Sequence, residues 1–339
     1  MARNHSGRSR TVMSDVAALA GVSSMTVSRV LNHPGKVSPE TRAKVMMAVR
    51  ELGYRPNPAA RVLATGRSGV LGVVGVDSTL YGPRSTLYAI ETAARANGFL
   101  VSIHSLGSVT SESVAESVDY LRQQIVDGVI VIAPLEGVDG GPRGVPDDFP
   151  LVDVGGGLRG AVPVSAIDQR AGAARATRHL LSLGHKTVWH IAGPPTWIDA
   201  NERVAGWREA LGAAGREAPE PLIGDWSAHS GYEHGRRLAR DPSVTAVFAA
   251  NDSMALGLLR ALGEEGRKVP EDVSVIGFDD IPEAAYIWPP LTTVRQDFWE
   301  VGKQSFHLLL HRMGGRSTDS RRLVEPELVL RDSTAAPVR

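Results

Sequence analysis

Arg29 stands one helical turn after Met25 and Ser24, spacing that lets all three project from a single helix toward a ligand. A guanidinium presents two parallel donors, enough to engage a guanine edge, whereas a serine is short and a methionine offers apolar contact alone. A second pattern, Gly155, Gly157 and Gly160, meets the spacing of a dinucleotide fingerprint behind a strand. Ala161-Val162-Pro163-Val164 then continues as another strand candidate, so no helix amino terminus is available to hold a pyrophosphate. The ten histidines lack zinc-protease spacing, His185 and His190 flanking a strand start rather than sharing a helical face, and neither a Walker loop nor a Gly-x-Ser-x-Gly elbow occurs. Without cysteine the chain forms no disulfide, thiolate zinc site or iron–sulfur cluster. Catalysis is unsupported: the expectation is a protein that is not an enzyme and has no cofactor.

The zero net charge conceals a division. Residues 1–68 hold 11 Lys+Arg against 3 Asp+Glu, a net +8, and the remainder holds 26 against 34, a net −8. A basic head joined to an acidic body suits a head that meets a polyanion and a body repelled by it. At about 150 residues per domain, 339 residues allow about two folding units with a real core in each. No apolar run approaches the roughly 20 residues of a membrane span. Arg3, Arg8 and Arg10 are not followed by the apolar stretch of a secretory signal. The expected location is the cytoplasm, with no membrane partner.

The elements that must position these residues follow from periodicity. Residues 14–20 read as a short helix with Val16, Ala17, Leu19 and Ala20 on its apolar face, and Gly21 permits a sharp turn. Ser23 can cap a second helix to about Asn32, with Val27, Val30 and Leu31 inward. Ser38 and Pro39 open a third, with Val45, Val49 and Leu52 inward and Gly53 as its stop. Three helices make a small bundle. Tyr54 to Pro58 is an extended, proline-restricted linker, and 59–64 is helix-competent but too short to be stable alone, so it would order with a partner. Beyond it, apolar strand candidates at 70–76, 99–104, 128–133, 151–154, 188–192, 222–224, 246–249, 273–277 and 291–294 alternate with helix-period segments. That alternation predicts an α/β body of parallel sheets covered on both faces, in two subdomains with a cleft at the strands' carboxyl ends. The expected boundaries are a head over 1–56, a hinge over 57–68 and a body over 69–339. The body divides into 69–166 plus 298–325, and 167–293 plus a final strand.

The run Val22-Ser23-Ser24-Met25-Thr26-Val27-Ser28-Arg29-Val30-Leu31-Asn32, after Asp15-Val16-Ala17 and Gly21, resembles the DNA-reading helix of the lactose-repressor (LacI/GalR) family of bacterial transcription regulators. Further matches run in family order: Gly53-Tyr54, Pro56-Asn57, Asp127-Gly128-Val129-Ile130, Leu183-Gly184-His185, Ala192-Gly193-Pro194, Arg203 with Gly206-Trp207, Gly224-Asp225-Trp226-Ser227, Asn251-Asp252, Gly277-Phe278-Asp279-Asp280, and Pro290-Leu291-Thr292-Thr293 with Gln296.

The resemblance implies a helix-turn-helix head, a hinge helix and a periplasmic-binding-protein-like body. In such a head the second helix lies in the major groove. Ser24, Met25 and Arg29 then face bases, Thr11, Thr26 and Ser28 approach phosphates together with Arg42 and Lys44, and Asn32, Asn57 and Ala60 complete the contact set. Leu63 would wedge into a central minor-groove step, the unstacking cost offset by the contacts that a bend adds. Ser24-Met25 departs from the Tyr-Gln pair of the lactose repressor, which implies a different operator. One small head reads one half-site, so a palindromic double-stranded operator and a homodimer are implied. The sequence after the body shows no leucine heptad, so a dimer rather than a tetramer is expected.

For the body the resemblance implies a sugar effector. Arg203, Asn251, Asp279 and Gln296 would be its polar ligands and Trp226 and Phe298 its walls, with Leu80, Gly82, Pro83 and Asp153 from the first subdomain and Trp197 and Asp199 by position. Trp189 and Trp207 read as core, and Asp280 as a helix cap. Ile132, where an asparagine stands, and Asp199, where a serine stands, depart from the lactose-repressor pattern. The remaining set favours a galactoside or other disaccharide whose binding shifts the subdomains and releases a carbohydrate-utilisation operon. A cytoplasmic sugar-binding protein without regulatory DNA binding would share the body but has no use for a basic three-helix head.

Overall fold

The computed structural model describes residues 11–32, 34–55, 62, 66–76, 79–107, 110–135, 145–146, 148–158, 162–316 and 321–337. It divides into two units, 1–68 and 69–339. Asn57, Ala60 and Leu63 lie outside the described residues.

Among the described residues the first unit holds three α-helices, α1 (Met13–Ala20), α2 (Ser24–Asn32) and α3 (Pro39–Glu51). Gly21 closes α1 with φ +66°, where a side chain would be strained, and Val22 N–H returns to the Ala17 carbonyl. Ser23 Oγ accepts from Thr26 N–H at the start of α2, and Ser38 accepts from Thr41 N–H ahead of Pro39 in α3. Val16, Ala17, Val27, Val30, Val45, Ala48 and Tyr54 form the core. Leu19 departs from the expected pattern: it is 47% exposed, because α1 is only two turns long and Val16 and Ala17 already fill its inner face.

Among the described residues the second unit contains two six-stranded sheets. In the first, β1 (Val70–Val76), β2 (Leu100–Leu106), β3 (Val129–Ile132), β4 (Leu151–Val154), β5 (Val164–Ile167) and β11 (Arg321–Val324) run in the order β11-β5-β4-β3-β1-β2, all parallel. In the second, β6 (Trp189–Ala192), β7 (Leu222–Ile223), β8 (Ala246–Ala249), β9 (Ser274–Asp279), β10 (Thr292–Arg295) and β12 (Glu327–Val329) run in the order β12-β10-β9-β8-β6-β7, with β12 alone antiparallel. The strands are apolar on both sides because helices cover both faces. α4 (Tyr81–Ala96) and α10 (Phe298–Met313) pack on one face of the first sheet, and α5 (Ser111–Gln123) on the other. α6 (Gln169–Ser182) and α7 (Ile198–Ala213) cover one face of the second sheet, and α8 (Ala228–Ala239) and α9 (Asp252–Glu264) the other.

Glycine sets the closest helix crossing. A Cβ on Gly257 would lie 1.8 Å from the Ala228 carbonyl and one on Gly231 2.1 Å from that of Met254, so α8 and α9 touch backbone to backbone. Three segments pass between the sheets, from β5 to α6, from β10 to α10 and from β11 to β12. Among the described residues no helix is long and apolar enough to cross a membrane.

Candidate functional site

In the head, Ser24, Met25 and Arg29 are exposed on the side of α2 opposite the buried Val27 and Val30, and Met25 is 71% exposed. Thr26 Oγ1 lies 2.9 Å from Ser23 Oγ, and Ser28 is half-buried. Thr11 spends its hydroxyl hydrogen on the Leu52 carbonyl at 3.3 Å, so it fastens the entry of α1 to the end of α3. Arg42 is exposed, while Lys44 pairs with Glu40 at 2.8 Å.

In the second unit the carboxyl ends of the strands open onto a cleft of about 640 Å³. The first lobe contributes Leu80 and Pro83 from the start of α4 and Phe298 from the start of α10, where Tyr81 meets Phe298 edge-on at 5.8 Å. The second lobe contributes Trp197, Asp199 and Arg203 from α7 and the loop before it, Trp226 ahead of α8, Asn251 at the cap of α9, Asp279 at the end of β9 and Gln296 after β10. Trp226, at φ +72°, lays its ring over Gly193, where a Cβ would come within 2.2 Å, and meets Trp197 edge-on at 5.8 Å. Asn251 Oδ1 accepts from Met254 N–H at 2.8 Å, and its amide donates to the Trp226 carbonyl at 3.1 Å.

The polar groups form a closed ring. Arg203, 4% exposed, donates through Nε to Gln169 Oε1 at 2.9 Å, Gln169 Nε2 donates to Gln296 Oε1 at 2.8 Å, Gln296 Nε2 donates to Asp279 Oδ1, and Arg203 Nη2 stands 3.9 Å from that same oxygen. The guanidinium also donates to the Ala250 carbonyl and lies 4.0 Å from the centroid of the Phe278 ring. Each member therefore has its orientation fixed by the next, with Asp279 held at φ +115°. Burial pushes the Asp279 carboxyl up to about 6, against the pull of Arg203 and the Gln296 hydrogen bond. Burial also raises Asp199, with Arg203 opposing. Gln169 carries no motif signal in the sequence: a glutamine opening a helix reads as a solvated side chain, and only its place at the β5–α6 crossing puts it here.

Two expectations change. Asp153 does not line the cleft. Strand side chains alternate, and since Val152 and Val154 face α4 and α10, Asp153 points to the α5 face, fully buried. Its Oδ2 accepts from Leu158 N–H at 2.8 Å, and its Oδ1 has no hydrogen bond within 3.5 Å among the described residues. Burial pushes this carboxyl up to about 7, opposed by the Leu158 and Gly156 amides and by Arg321. Asp280 is not a helix cap: it accepts from Arg295 at 2.7 Å and from Arg331 at 2.6 Å, fastening the loop after β9. Trp207 is fully buried and donates to the Val188 carbonyl, and Trp189 is half-buried against the second-lobe core. The 155–158 segment after β4 leads to β5, with no helix among the described residues between them.

Residues 12–57 match the model of bacterial regulatory proteins of the lacI family, and residues 177–334 match the periplasmic binding protein-like domain. The transcriptional regulator CelR of Thermobifida fusca is 39% identical, covering 96% of this chain and 99% of the relative. The lactose operon repressor of Escherichia coli K12 is 36% identical, covering 95% and 90%. Among solved structures, a lac repressor dimer bound to operator and the anti-inducer ONPF superposes with a TM-score of 0.82 at 33% identity, over 97% of this chain and all of that one. A CelR–cellobiose complex does so with a TM-score of 0.65 at 34% identity, over 96% and 100%. With a helix-turn-helix head, a two-lobed cleft at its strand ends and relatives matched over nearly their whole length, this chain belongs to the lacI family of bacterial transcriptional regulators.

Proposed function

We propose that the chain is a cytoplasmic repressor that holds a palindromic operator as a homodimer and releases it when a β-linked disaccharide, a galactoside or a cellobiose-like glucoside, occupies the cleft. The ring of Arg203, Gln169, Gln296 and Asp279 carries this reading. Bidentate guanidinium and carboxylate groups engage neighbouring hydroxyls in pairs, and Trp226, Trp197 and Phe298 offer aromatic surface for the C–H faces of sugar rings. The CelR–cellobiose complex supports a β-linked disaccharide of this size. The exposed α2 face, with Ser24, Met25 and Arg29, supports major-groove reading by the head, and the bound lac repressor dimer supports two half-sites.

Calorimetric titration with a panel of mono- and disaccharides, paired with mobility shift on the gene's own upstream DNA, tests both halves. The expected result is a specific complex at moderate salt that a bound disaccharide dissolves. Absence of a specific complex overturns the regulator. A sugar that binds without weakening the complex overturns induction, and one that tightens it makes the sugar a corepressor.

A further inference from the structure

Met25 is the second residue of α2, and its thioether shares the exposed face of that helix with Ser24 and Arg29. The chain has no cysteine, so all of its sulfur is thioether. Among the described residues the other methionines are better shielded. Met254 is fully buried, Met13, Met46 and Met313 are half-buried, and Met47 on α3 is 59% exposed against 71% for Met25. An oxidant in solution therefore meets Met25 most readily, and meets it on the surface offered to DNA.

Resting on the major-groove reading above, we propose that Met25 is a reversible oxidation site, through which hypohalous acid abolishes operator binding. In the net reaction hypochlorous acid gives its oxygen to the thioether: an S=O bond forms, the O–Cl bond breaks, sulfur loses two electrons, and chloride and a proton leave. A dithiol-dependent sulfoxide reductase reverses the step, removing the oxygen as water while the dithiol closes to a disulfide. The thioether gives a base edge an apolar contact. The sulfoxide is polar, and its oxygen can only accept, whereas N7, O6 and O4 on the major-groove edges are acceptors too. Two acceptors facing each other where water is excluded are both left unsatisfied. A duplex that covers Met25 also shields it, so the oxidant acts on repressor that has let go and prevents its return.

The full-length protein tests this, free and on the DNA upstream of its own gene, with graded hypochlorite, peptide mass spectrometry and mobility shift. Free protein is expected to gain oxygen at Met25 ahead of the other methionines, with operator affinity falling by about tenfold or more. Sulfoxide reductase with dithiothreitol should restore both, and DNA-bound protein should be protected at Met25. Met25→Leu keeps the apolar contact and cannot be oxidised, so it is expected to hold DNA through the same dose, while Met47→Leu stays as sensitive as the parent. Melting curves confirm that both variants fold, and reductase rescue of the parent carries the test alone if leucine itself weakens the complex. Full affinity in protein oxidised at Met25, or an equal loss in M25L, overturns the oxidation site and leaves the regulator standing. Absence of a specific complex before hypochlorite is added overturns the reading beneath it.

Discussion

Replacing Arg203 with lysine keeps the charge and removes the fork, so one ammonium has to choose among Gln169, the Ala250 carbonyl and Asp279, which the guanidinium serves together. We expect R203K to lower sugar affinity by about 100-fold and stability by about 3 kcal/mol, since Asp279 is left buried and poorly paired. Calorimetry and thermal melting read the two effects, and an unchanged affinity would sink the ring's role. In the head, Arg29→Ala should cost about 1 to 3 kcal/mol of operator discrimination, seen in mobility shift as relaxed preference at one base pair of each half-site. Asp153 gives a prediction with a definite sign. Its folded carboxyl sits at about 7 against an ordinary value of 3.8, so its contribution is fully present below about pH 4 and is lost as pH rises through 7. Linkage sets the loss at about 4 kcal/mol. Asp153→Asn, which mimics the protonated acid, should therefore gain most over the parent at pH 8 and progressively less toward pH 5. Melting midpoints across that range check it, and a pH-independent difference would contradict the buried-acid account. The same residue shows where sequence reading stopped: the motif match placed Asp153 in the cleft, although the parity of Val152 and Val154 was already available to turn it away.

At the scale of elements, helix boundaries were the most readable features, because Ser23, Ser38 and Pro39 at the starts and Gly21 and Gly53 at the stops do stereochemically specific work. Buried strands were readable as apolar runs. The miss is β11, whose Arg321-Arg322-Leu323-Val324 sits at a sheet edge with mostly exposed side chains and no alternation to detect, whereas the final strand expected for the second subdomain is β12, Glu327-Leu328-Val329, at the edge of the other sheet. Gln169 was missed for a related reason, since its role comes from the chain's crossing between sheets. The α8–α9 contact is testable with a pair of alanines. Gly257→Ala should destabilise by about 3 kcal/mol through overpacking. Gly263→Ala on the same helix meets nothing within 4 Å and should be neutral or stabilising by about 0.5 kcal/mol. Chemical denaturation of the two variants decides it, and equal midpoints would refute the close crossing.

For the whole molecule, the sugar and the operator should be linked reciprocally. Saturating disaccharide is expected to weaken operator binding by about 5- to 150-fold, and saturating operator to weaken the sugar by the same factor. Fluorescence anisotropy of labelled operator and calorimetry of the DNA complex measure the two factors, and unequal values would rule out simple two-state coupling. Parallel α/β texture and the charge division made the head and body legible, whereas the return of the chain from the first sheet to the second through β11 and β12 was foreshadowed only by resemblance. That return has a consequence for biosynthesis. Residues 331–335 are stitched into β9 and β10: Ser333 exchanges hydrogen bonds with Val275 and caps Thr292 N–H, and Ala335 meets Ser274 and His185. On the ribosome, the second lobe therefore waits for these residues to clear the exit tunnel, and until then β10 presents a bare edge to other nascent chains.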